Sequence, residues 1–483
     1  MTTAGKRPRP WPGRGGRKII DLAAGEIARA VQGEILSGHP DRRAVGAGSD
    51  SRQVRPGELF VPLRGPRYDG HDFLPSALAS GAAGALIQEG REGKIDGRRW
   101  PDKFLIRVGD PLRALGDLAR FWRDRLPARV IAITGSNGKT TTKEMTARVL
   151  SGRFRVLKTE GNLNNRIGLP LMLLRLAADH EMAVLEMGMS EAGEIRRLKE
   201  IACPGFSLIA NIGPAHLEQL GSLEGVSRAK GELWEDLKAE DWIAVNADDP
   251  RVVALAALAR CRRRTFGLCS PADLFGEDLR TESGGISFTF RVEGKKIPVR
   301  LAAFGRHNVL NALAAAALCS AAGLGAEEIA AGLQGFQSFP GRGQVRRLGR
   351  EVHILDESYN SNPGSLEAAL AAFREAKGGS PGILVLGDML ELGEASARLH
   401  EESGRRIAEL GPKHLFLLGE KAGSLAAGAR TRGRKVTASM DPQEILEELE
   451  KVIQPGDWVL VKASRRIGLE RIIDGLEDRL GRA

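Results

Sequence analysis

The sequence predicts an α/β protein with three domains. Its 483 residues correspond to about three domains of roughly 150 residues each. In the middle and last parts of the chain, short apolar runs such as VIAITG and ILVLGDM alternate with helical stretches, which is typical of parallel sheets covered by helices on both faces. The proportions of hydrophobic (42%) and charged (27%) residues are those of a globular protein rather than a disordered one.

Residues 1–18 differ in composition from the rest of the chain. They contain six Lys and Arg residues and no acid, so they carry +6 of the net charge of +10. They are also rich in Pro and Gly, and no Arg-rich or aromatic pattern continues beyond them. We therefore predict a disordered basic tail and no nucleic-acid binding. Because no long apolar run follows, we expect a cytoplasmic protein without an integral membrane segment.

The cysteines and histidines do not form a recognisable metal or disulfide pattern. The four cysteines contain no CxxC pair, and the eight histidines contain no HExxH. Neither a zinc site nor a disulfide framework is predicted.

Three domains are predicted to follow the tail. Residues 19–108 form a small α/β domain with short strands around an Ala-rich helix. Residues 109–339 alternate strands and helices and then contain a hairpin, ISFTFRVEGKKIPVRL, and the Ala-rich helix NVLNALAAAALCSAAG. Residues 340–483 contain five or so strands separated by helices, the pattern of an open, Rossmann-like sheet. A hinge is expected near residues 338–343, where Pro and Gly cluster.

The segment VIAITGSNGKTTTKEMTARVL contains the strongest chemical motif. A strand leads into a Gly-rich loop, which opens a helix at Lys139 and Thr140. Glycines allow backbone N–H groups to approach a phosphate closely, and the helix N-terminus adds partial positive charge. Lys139 can bridge the β- and γ-phosphates, and the Thr140 hydroxyl can ligate Mg²⁺. The loop is GxxGKT, two residues shorter than GxxxxGKT, and it predicts a central P-loop ATPase-like domain.

Three polar residues after this loop are ambiguous when each is considered alone. Glu186 and His216 follow apolar runs, at the carboxyl ends of strands where parallel sheets bind ligands. Lys230 lies in SRAKGELW, at the predicted start of a helical stretch. Glu186 could hold Mg²⁺, but isolated histidines and lysines more often have a local structural or solvated role.

Seven segments, in their order along the chain, resemble the Mur ligase family, the ATP-dependent amino-acid and peptide ligases of peptidoglycan precursor synthesis. They are TGSNGKTT, GNLNNRIGLP, EMGMSEAGEI, NIGPAHLEQLGS, RAKGELW, GRHNVLNALAAAA and DESYNSNP. The similarity covers about residues 19–475. Four segments are most similar to members that add D-alanyl-D-alanine: RYDGHDF, GNLNNRIG, DESYNSNPGSLEAAL and LGDMLELGE.

The resemblance implies how ATP and Mg²⁺ are bound. The implied phosphate loop is Thr134, Gly135, Ser136, Asn137, Gly138, Lys139 and Thr140. The remaining implied ATP contacts are His307, Asn308 and Asn311 near the adenine, Arg342 at the γ-phosphate and Asp356 at the ribose. Thr140 and Glu186 would hold one Mg²⁺, and His216 and Lys230 a second. Lys230 would carry a CO₂-derived carbamate, which converts a cation into a carboxylate-like ligand. The implied catalytic residues are Lys139, Lys230, His216 and Arg342.

The resemblance also implies two small-molecule substrates, UDP-MurNAc-tripeptide and D-Ala-D-Ala, joined through an acyl phosphate by a monomeric enzyme. Ser51 and Arg52 would lie on the uridine side, and Asn162 and Asn165 would face the muramoyl part. Three residues would lie near the incoming dipeptide: Tyr359, Asn360 and Asn362. The third residue of the peptide, diaminopimelate or lysine, is left open.

Three departures and three alternatives accompany this resemblance. The family's GMNHPGEI-like and KGSR-like segments read GMSEAGEI and KASR here, and its usual paired acid after the first strand of the last domain reads Asp356-Glu357. A sister ligase that adds a diamino acid is disfavoured because the last domain has no DNPR- or DNPA-like motif. A folylpolyglutamate synthetase-like enzyme would have GTNGKGS where this chain has Thr140 and Thr141. A P-loop switch or motor would turn over ATP without a small-molecule acceptor.

We expect deletion of residues 1–17 to leave the kinetic constants of the implied ligation unchanged, because the tail has no predicted contact with the three domains. Steady-state kinetics of the full-length and shortened chains measure this. A large fall in kcat/KM of the shortened chain would show that the tail takes part in catalysis.

Overall fold

The computed structural model describes residues 20–429 and 435–481. The predicted basic tail, residues 1–18, lies outside the described residues. Within the described ranges, no helix combines the length and the hydropathy needed to span a bilayer.

Strands and helices alternate through most of the described chain. The strands are β1 (Leu22–Ala23), β2 (Glu34–Ser37), β3 (Arg43–Ala44), β4 (Ala47–Gly48), β5 (Leu59–Phe60), β6 (Gly84–Gln88), β7 (Phe104–Val108), β8 (Arg129–Thr134), β9 (Val156–Lys158), β10 (Met182–Glu186), β11 (Phe206–Ile209), β12 (Trp242–Asn246), β13 (Arg262–Gly267), β14 (Leu274–Glu282), β15 (Gly285–Val292), β16 (Lys295–Leu301), β17 (Gln344–Leu348), β18 (Val352–Asp356), β19 (Gly382–Gly387), β20 (His414–Leu418), β21 (Lys435–Ser439) and β22 (Trp458–Lys462).

The α-helices have the following bounds: α1 (Ala24–Ala30), α2 (Leu74–Ala79), α3 (Pro111–Arg123), α4 (Lys139–Leu150), α5 (Gly168–Leu173), α6 (Glu194–Ala202), α7 (Leu217–Leu220), α8 (Leu223–Gly231), α9 (Pro250–Leu258), α10 (Arg306–Ala321), α11 (Ala326–Gln334), α12 (Pro363–Lys377), α13 (Ser396–Leu410), α14 (Ala422–Ala429), α15 (Pro442–Val452) and α16 (Glu470–Leu480).

The described residues form two compact units. The first unit contains residues 20–132 together with Leu150–Met189 and Gly193–Gly205. The second unit contains Ile133–Val149, Ser190–Ala192 and the chain from Phe206 onward.

The first unit contains a five-stranded sheet in the order β2-β7-β6-β5-β4, in which only β2 is antiparallel to its neighbour. Helix α2 packs Leu74 and Leu78 against Phe60 and Ile87 of the sheet. The helix ends at Ala79, earlier than the Ala-rich sequence predicts, because Gly81 adopts a positive φ of 104° that stops helix propagation. Strands β9 and β10 also pair in this unit, in parallel.

In the second unit, the strands from β11 to β14 run parallel, and β15 and β16 follow them as antiparallel strands. The predicted hairpin is confirmed. Its turn lies at Glu293 and Gly294, both at positive φ, as a two-residue hairpin turn with the twist of its strands requires. Helix α10, the predicted Ala-rich helix, is buried along most of its length.

A second sheet of this unit has the order β17-β18-β22-β19-β20-β21. Strand β17 is antiparallel to β18, and the other neighbours are parallel. Side chains alternate between two apolar cores, with Ile383 on one face and Leu384 on the other. The prediction of five strands missed β17, because its sequence QVRRL is too polar for the buried-strand pattern.

The position of Lys230 differs from the sequence prediction. Lys230 lies in the last turn of α8, not at the start of a helix. The helix begins earlier because the side chain of Ser222 accepts a hydrogen bond from the N–H of Gly225 (3.1 Å) and so caps its N-terminus.

Candidate active site

The loop between β8 and α4 has the backbone geometry of a phosphate loop. Gly135 and Gly138 have positive φ values of 149° and 80°. A Cβ on Gly138 would lie 2.3 Å from Oδ1 of Asn311, so both the conformation and the space require glycine there.

The loop is braced by the chain that follows β11. The Asn137 N–H donates to Oδ1 of Asn211 (2.9 Å), and Asn211 Nδ2 donates back to the Asn137 carbonyl (3.0 Å). Ser136 Oγ donates to the Gly213 carbonyl (2.9 Å) and accepts from the Gly213 N–H (2.8 Å). These paired hydrogen bonds fix the loop's conformation. Sequence analysis assigned Asn211 no role, although it begins the NIGPAHLEQLGS segment.

Two cationic side chains flank the loop. Lys139 Nζ donates to the Gly135 carbonyl (2.8 Å). Arg342 Nη2 donates to Oγ1 of Thr140 (3.2 Å), and its guanidinium lies 4.1 Å from the ring centroid of Tyr359. Stacking on an aromatic ring holds a guanidinium in a defined orientation. Arg342 therefore places a positive charge beside the loop, where it can pair with the negative charge of a bound phosphate.

A cleft of about 280 Å³ opens beside the loop. Eleven of the residues implied by the resemblance line it: Ser136, Asn137, Gly138, Lys139, Thr140, His307, Asn308, Asn311, Arg342, Asn360 and Asn362. Phe266, Leu310 and Ala314 add an apolar part to the lining. The cleft thus combines phosphate-binding groups with an apolar surface suited to a base.

The start of α10 forms one wall of this cleft. Asn308 Nδ2 donates to the Phe304 carbonyl (2.8 Å), and its Oδ1 accepts from Asn311 Nδ2 (3.2 Å). Asn311 Oδ1 accepts from Oγ1 of Thr142 (3.3 Å), which connects this wall to α4. Burial lowers the pKa of His307 despite the nearby carboxylate of Glu357, so its imidazole is neutral at pH 7.

The opposite wall comes from the chain after β18. Asn362 Nδ2 donates to Oδ1 of Asn137 in the phosphate loop (2.8 Å), and Asn362 Oδ1 accepts from the Ser365 N–H (2.9 Å), which caps α12. Asn360 also lines the cleft. The DESYNSNP segment and the phosphate loop therefore share one cleft.

The structure places Asp356 behind the cleft, where it is fully buried. Its carboxylate accepts hydrogen bonds from the Gly341 N–H (3.0 Å), from Arg346 Nη2 (2.8 Å), and from both the N–H (3.1 Å) and the Oγ (2.6 Å) of Ser358. These bonds fix the predicted hinge segment to β18.

The neighbouring Glu357, and Lys462 at the end of β22, line the cleft instead. Lys462 Nζ donates to the Asn360 carbonyl (2.8 Å) and lies 3.6 Å from Oε2 of Glu357. Burial lowers the pKa of Lys462. Sequence analysis assigned neither residue a role, although each follows or ends a parallel strand at its carboxyl end, which is a usable signal.

Lys230 is 1% exposed. Burial, followed by the charge of Lys139, lowers the pKa of Lys230 well below its usual value. A buried lysine of this kind favours its neutral amine form, and the two lysines lie close enough for their charges to interact.

His216 immediately precedes α7 and has a left-handed φ of 55°. Its Nδ1 lies 2.7 Å from Oε2 of Glu391, and this contact holds the pKa of Glu391 below its usual range. The Glu391 carbonyl accepts from the Glu218 N–H (3.3 Å). Sequence analysis did not identify Glu391 as a site residue.

In the first unit, Glu186 ends β10 and is 3% exposed. Its Oε1 accepts from Asn164 Nδ2 (2.8 Å), and its N–H donates to Oγ1 of Thr159 (2.9 Å). Among the described residues its Oε2 is buried without a hydrogen-bond partner. A buried carboxylate oxygen in this state fits a site that receives a cation. Residues 20–429 and 435–481 contain no cluster of three or more His, Cys, Asp or Glu side chains arranged to hold a metal, so a metal site would also need the Thr or Lys ligands.

The implied substrate residues of the first unit lie at its surface. Arg52 pairs with Asp50 (2.8 Å) and thereby lowers the pKa of Asp50 to about 2. Ser51 is partly exposed and Asn162 is exposed. Asn165 Oδ1 accepts from the N–H groups of Ile167 (3.1 Å) and Gly168 (2.9 Å) at the start of α5.

Thr134, the first residue of the implied phosphate loop, ends β8 and is fully buried. Its carbonyl accepts a hydrogen bond from the N–H of Ala210 (2.9 Å).

Three family models match the chain. They are the "Mur ligase family, catalytic domain" at residues 44–123, the "Mur ligase middle domain" at residues 133–319 and the "Mur ligase, glutamate ligase domain" at residues 341–465. Together they cover most of the sequence from the first unit to the end of β22.

Curated relatives match over almost the whole chain. The UDP-N-acetylmuramoyl-tripeptide--D-alanyl-D-alanine ligase of Bacillus subtilis is 35% identical over 461 residues, which is 95% of this chain and 99% of that protein. The enzyme of the same name from Escherichia coli is 36% identical over 464 residues, 95% of this chain and 99% of that protein.

Solved structures have the same fold. A crystal structure of MurF from Acinetobacter baumannii has a TM-score of 0.87 at 31% identity, and covers 95% of this chain and 100% of that one. The structure of MurF ligase from Thermotoga maritima in complex with ADP has a TM-score of 0.79 at 29% identity. The match covers 90% of this chain and 97% of that one. The predicted three-domain α/β fold is confirmed, and the chain belongs to the Mur ligase family.

Proposed function

We propose that this protein is the ATP-dependent ligase that joins D-Ala-D-Ala to UDP-MurNAc-tripeptide and produces UDP-MurNAc-pentapeptide, ADP and phosphate. The observation that carries the proposal is the shared cleft, in which Asn362 of DESYNSNP bonds to Asn137 of the phosphate loop. ATP and the incoming dipeptide then meet at one place. The protein acts as a monomer in the cytoplasm, where ATP and the UDP-linked precursor are available.

The reaction activates an acid before it forms an amide. An oxygen of the tripeptide carboxylate attacks the γ-phosphorus of ATP, the bond to ADP breaks, and an acyl phosphate forms. The free amine of D-Ala-D-Ala attacks the acyl carbonyl and loses a proton, and the tetrahedral intermediate expels inorganic phosphate. The acyl phosphate must be protected from water, which a closed cleft provides.

The chain must first bring two anions together. Two unit charges about 4 Å apart repel by roughly 4 kcal/mol in a partly desolvated site. Lys139 and Arg342 flank the phosphate loop, and their charges offset this repulsion and stabilise the negative charge of the transferring phosphoryl group. The N-terminus of α4 adds partial positive charge beside them.

Two residues each have chemistry that suits a Mg²⁺ ligand: within the described part of the chain Glu186 has a buried carboxylate oxygen without a hydrogen-bond partner, and Lys230 is buried in a form that favours a neutral amine. Thr140 and Glu186 would hold one ion, and His216 and a carbamate on Lys230 the other. When bound, Mg²⁺ neutralises the phosphate oxygens.

The neutral amine of Lys230 is the form that reacts with CO₂. Nitrogen bonds to the carbon of CO₂ and releases a proton, and the product is an anion. The charge of Lys139, which disfavours a cation at Lys230, favours an anion there. The two lysines are therefore compatible once Lys230 carries the carbamate.

The remaining substrate contacts are also proposals. Asn308 and Asn311 face the adenine, and Glu357 takes the ribose contact that the resemblance gave to Asp356, because the Asp356 carboxylate is occupied by four hydrogen bonds whereas Glu357 lines the cleft. Residues 19–108 bind the uridine and muramoyl parts, residues 109–339 bind ATP, and residues 340–483 bind the dipeptide. The residues proposed for substrate binding are Ser51, Arg52, Asn162, Asn165, Tyr359, Asn360 and Asn362.

The function is tested by mass spectrometry of the product formed from UDP-MurNAc-tripeptide, ATP and D-Ala-D-Ala. We expect the pentapeptide, and we expect ¹⁸O from a labelled tripeptide carboxylate to appear in the released phosphate, since that oxygen bridges carbon and phosphorus in the acyl phosphate. Phosphate release that is independent of D-Ala-D-Ala, with no pentapeptide formed, would instead indicate an ATPase switch.

Lys139→Ala is expected to reduce turnover by at least about 100-fold, because it removes a charge that stabilises the transition state. The rate of pentapeptide formation measures the effect. Lys296→Ala is the matched control, since Lys296 is an exposed lysine paired with Glu277 and should retain full activity. Substantial residual activity in Lys139→Ala would show that Lys139 does not stabilise the transferring phosphate.

Lys230→Ala is expected to be nearly inactive and to regain activity when short carboxylic acids are added, because a free carboxylate can replace the lost carbamate. Turnover is measured against acetate concentration, with the exposed Lys238→Ala as control. If turnover changes neither on the Lys230→Ala substitution nor on addition of the acid, Lys230 does not act as a carbamate.

A further inference from the structure

The LGDMLELGE motif, residues 386–394, begins in the last two residues of β19 and has no role in the reaction described above. One of its side chains nevertheless meets the proposed site, because Oε2 of Glu391 lies 2.7 Å from Nδ1 of His216. At that separation the carboxylate and the imidazole are in direct electrostatic contact. The motif therefore places a carboxylate against a proposed metal ligand.

The backbone around Glu391 is held on both sides. The Met389 N–H donates to Nε2 of the buried His400 (3.0 Å), and the Leu390 N–H donates to Oγ of Ser464 (2.8 Å). On the other side, the Glu391 carbonyl accepts from the Glu218 N–H (3.3 Å). These contacts fix the position from which the carboxylate reaches His216.

Both residues of the pair have an unfavourable backbone conformation. His216 has a φ of 55° and Glu391 a φ of 64°, and neither is a glycine. Such conformations persist where surrounding contacts over-determine them, and they are common at functional sites. Close by, a Cβ on Gly393 would lie 3.1 Å from the Cα of Glu218, so the two segments approach closely.

A histidine that binds a metal through one ring nitrogen usually donates the other N–H to a carboxylate, which fixes its tautomer and orientation. In this protein the Glu391 carboxylate lies 2.7 Å from Nδ1, where its charge favours a proton on Nδ1 and so a lone pair on Nε2. We propose that Glu391 is a positioning residue for His216 that keeps Nε2 available to a divalent cation; this rests on the proposed function. Because Glu391 belongs to the dipeptide-binding residues 340–483, the orientation of His216 depends on contact with that part of the chain.

The test measures cation binding directly. Mn²⁺ is titrated into the full-length protein with a non-hydrolysable ATP analogue, and bound Mn²⁺ is counted by electron paramagnetic resonance. Glu391→Ala should weaken the affected Mn²⁺ site by about 10–100-fold. Glu391→Gln retains an acceptor oxygen and should lie between Glu391→Ala and the wild type. Glu394→Ala, at an exposed position of the same motif, is the matched control and should bind Mn²⁺ as the wild type does.

A double-mutant cycle with His216→Ala separates positioning from general damage to the fold. If Glu391 acts through His216, Glu391→Ala should not weaken Mn²⁺ binding further in the His216→Ala background. Equal losses in both backgrounds would overturn the proposal, and so would wild-type Mn²⁺ affinity in Glu391→Ala. If Glu391→Ala raises the KM for D-Ala-D-Ala and leaves Mn²⁺ affinity unchanged, the proposal is overturned and Glu391 instead contributes to dipeptide binding.

The wild-type product assay keeps this inference separate from the proposed function. If no pentapeptide forms but Mn²⁺ affinity follows the cycle as expected, the function fails and the positioning role stands. If pentapeptide forms but Mn²⁺ affinity is insensitive to Glu391, the function stands and the positioning role fails.

Discussion

The burial of Lys230, together with the nearby charge of Lys139, constrains the rest of this site. Lys139 is positioned by the loop itself, through the Gly135 carbonyl. Lys230 is buried close enough that the charge of Lys139 adds to burial in lowering its pKa. A second cation there would be costly in a low-dielectric environment, whereas an anion would be stabilised. The geometry therefore favours a neutral or modified Lys230 and leaves Arg342 and the N-terminus of α4 to supply the remaining positive charge.

The same cleft also depends on backbone rigidity. Asn211 and Gly213 brace the phosphate loop from the chain after β11, and Asn362 contacts it from the chain after β18. Each of these strands ends at the cleft, as expected for parallel sheets that bind ligands at their carboxyl edge. The loop is thus preorganised, and little of the binding energy of a nucleotide is needed to order it.

Much of the fold could be predicted from the sequence because its signals are local. The apolar runs of β10, β19 and β20, the hairpin turn at Glu293 and Gly294, and the phosphate loop all depend on residues that are neighbours in the chain. The polar edge strand β17 and the early start of α8 were missed, because the first depends on pairing with β18 and the second on the cap at Ser222. Sequence similarity placed Asp356 at the ribose, whereas burial behind the cleft became visible only in three dimensions.

By itself, the sequence determined most of the alternation of strands and helices, the phosphate loop with Lys139 and Thr140, and the membership in the ligase family. The tertiary structure alone decided which ionisable groups meet. It buried Lys230 near Lys139, put Glu357 and Lys462 in the cleft lining and brought Glu391 to His216. The reason is that hydrophobic periodicity and turn chemistry act over a few residues, whereas burial and the electrostatic field at a side chain come from segments far apart in the chain.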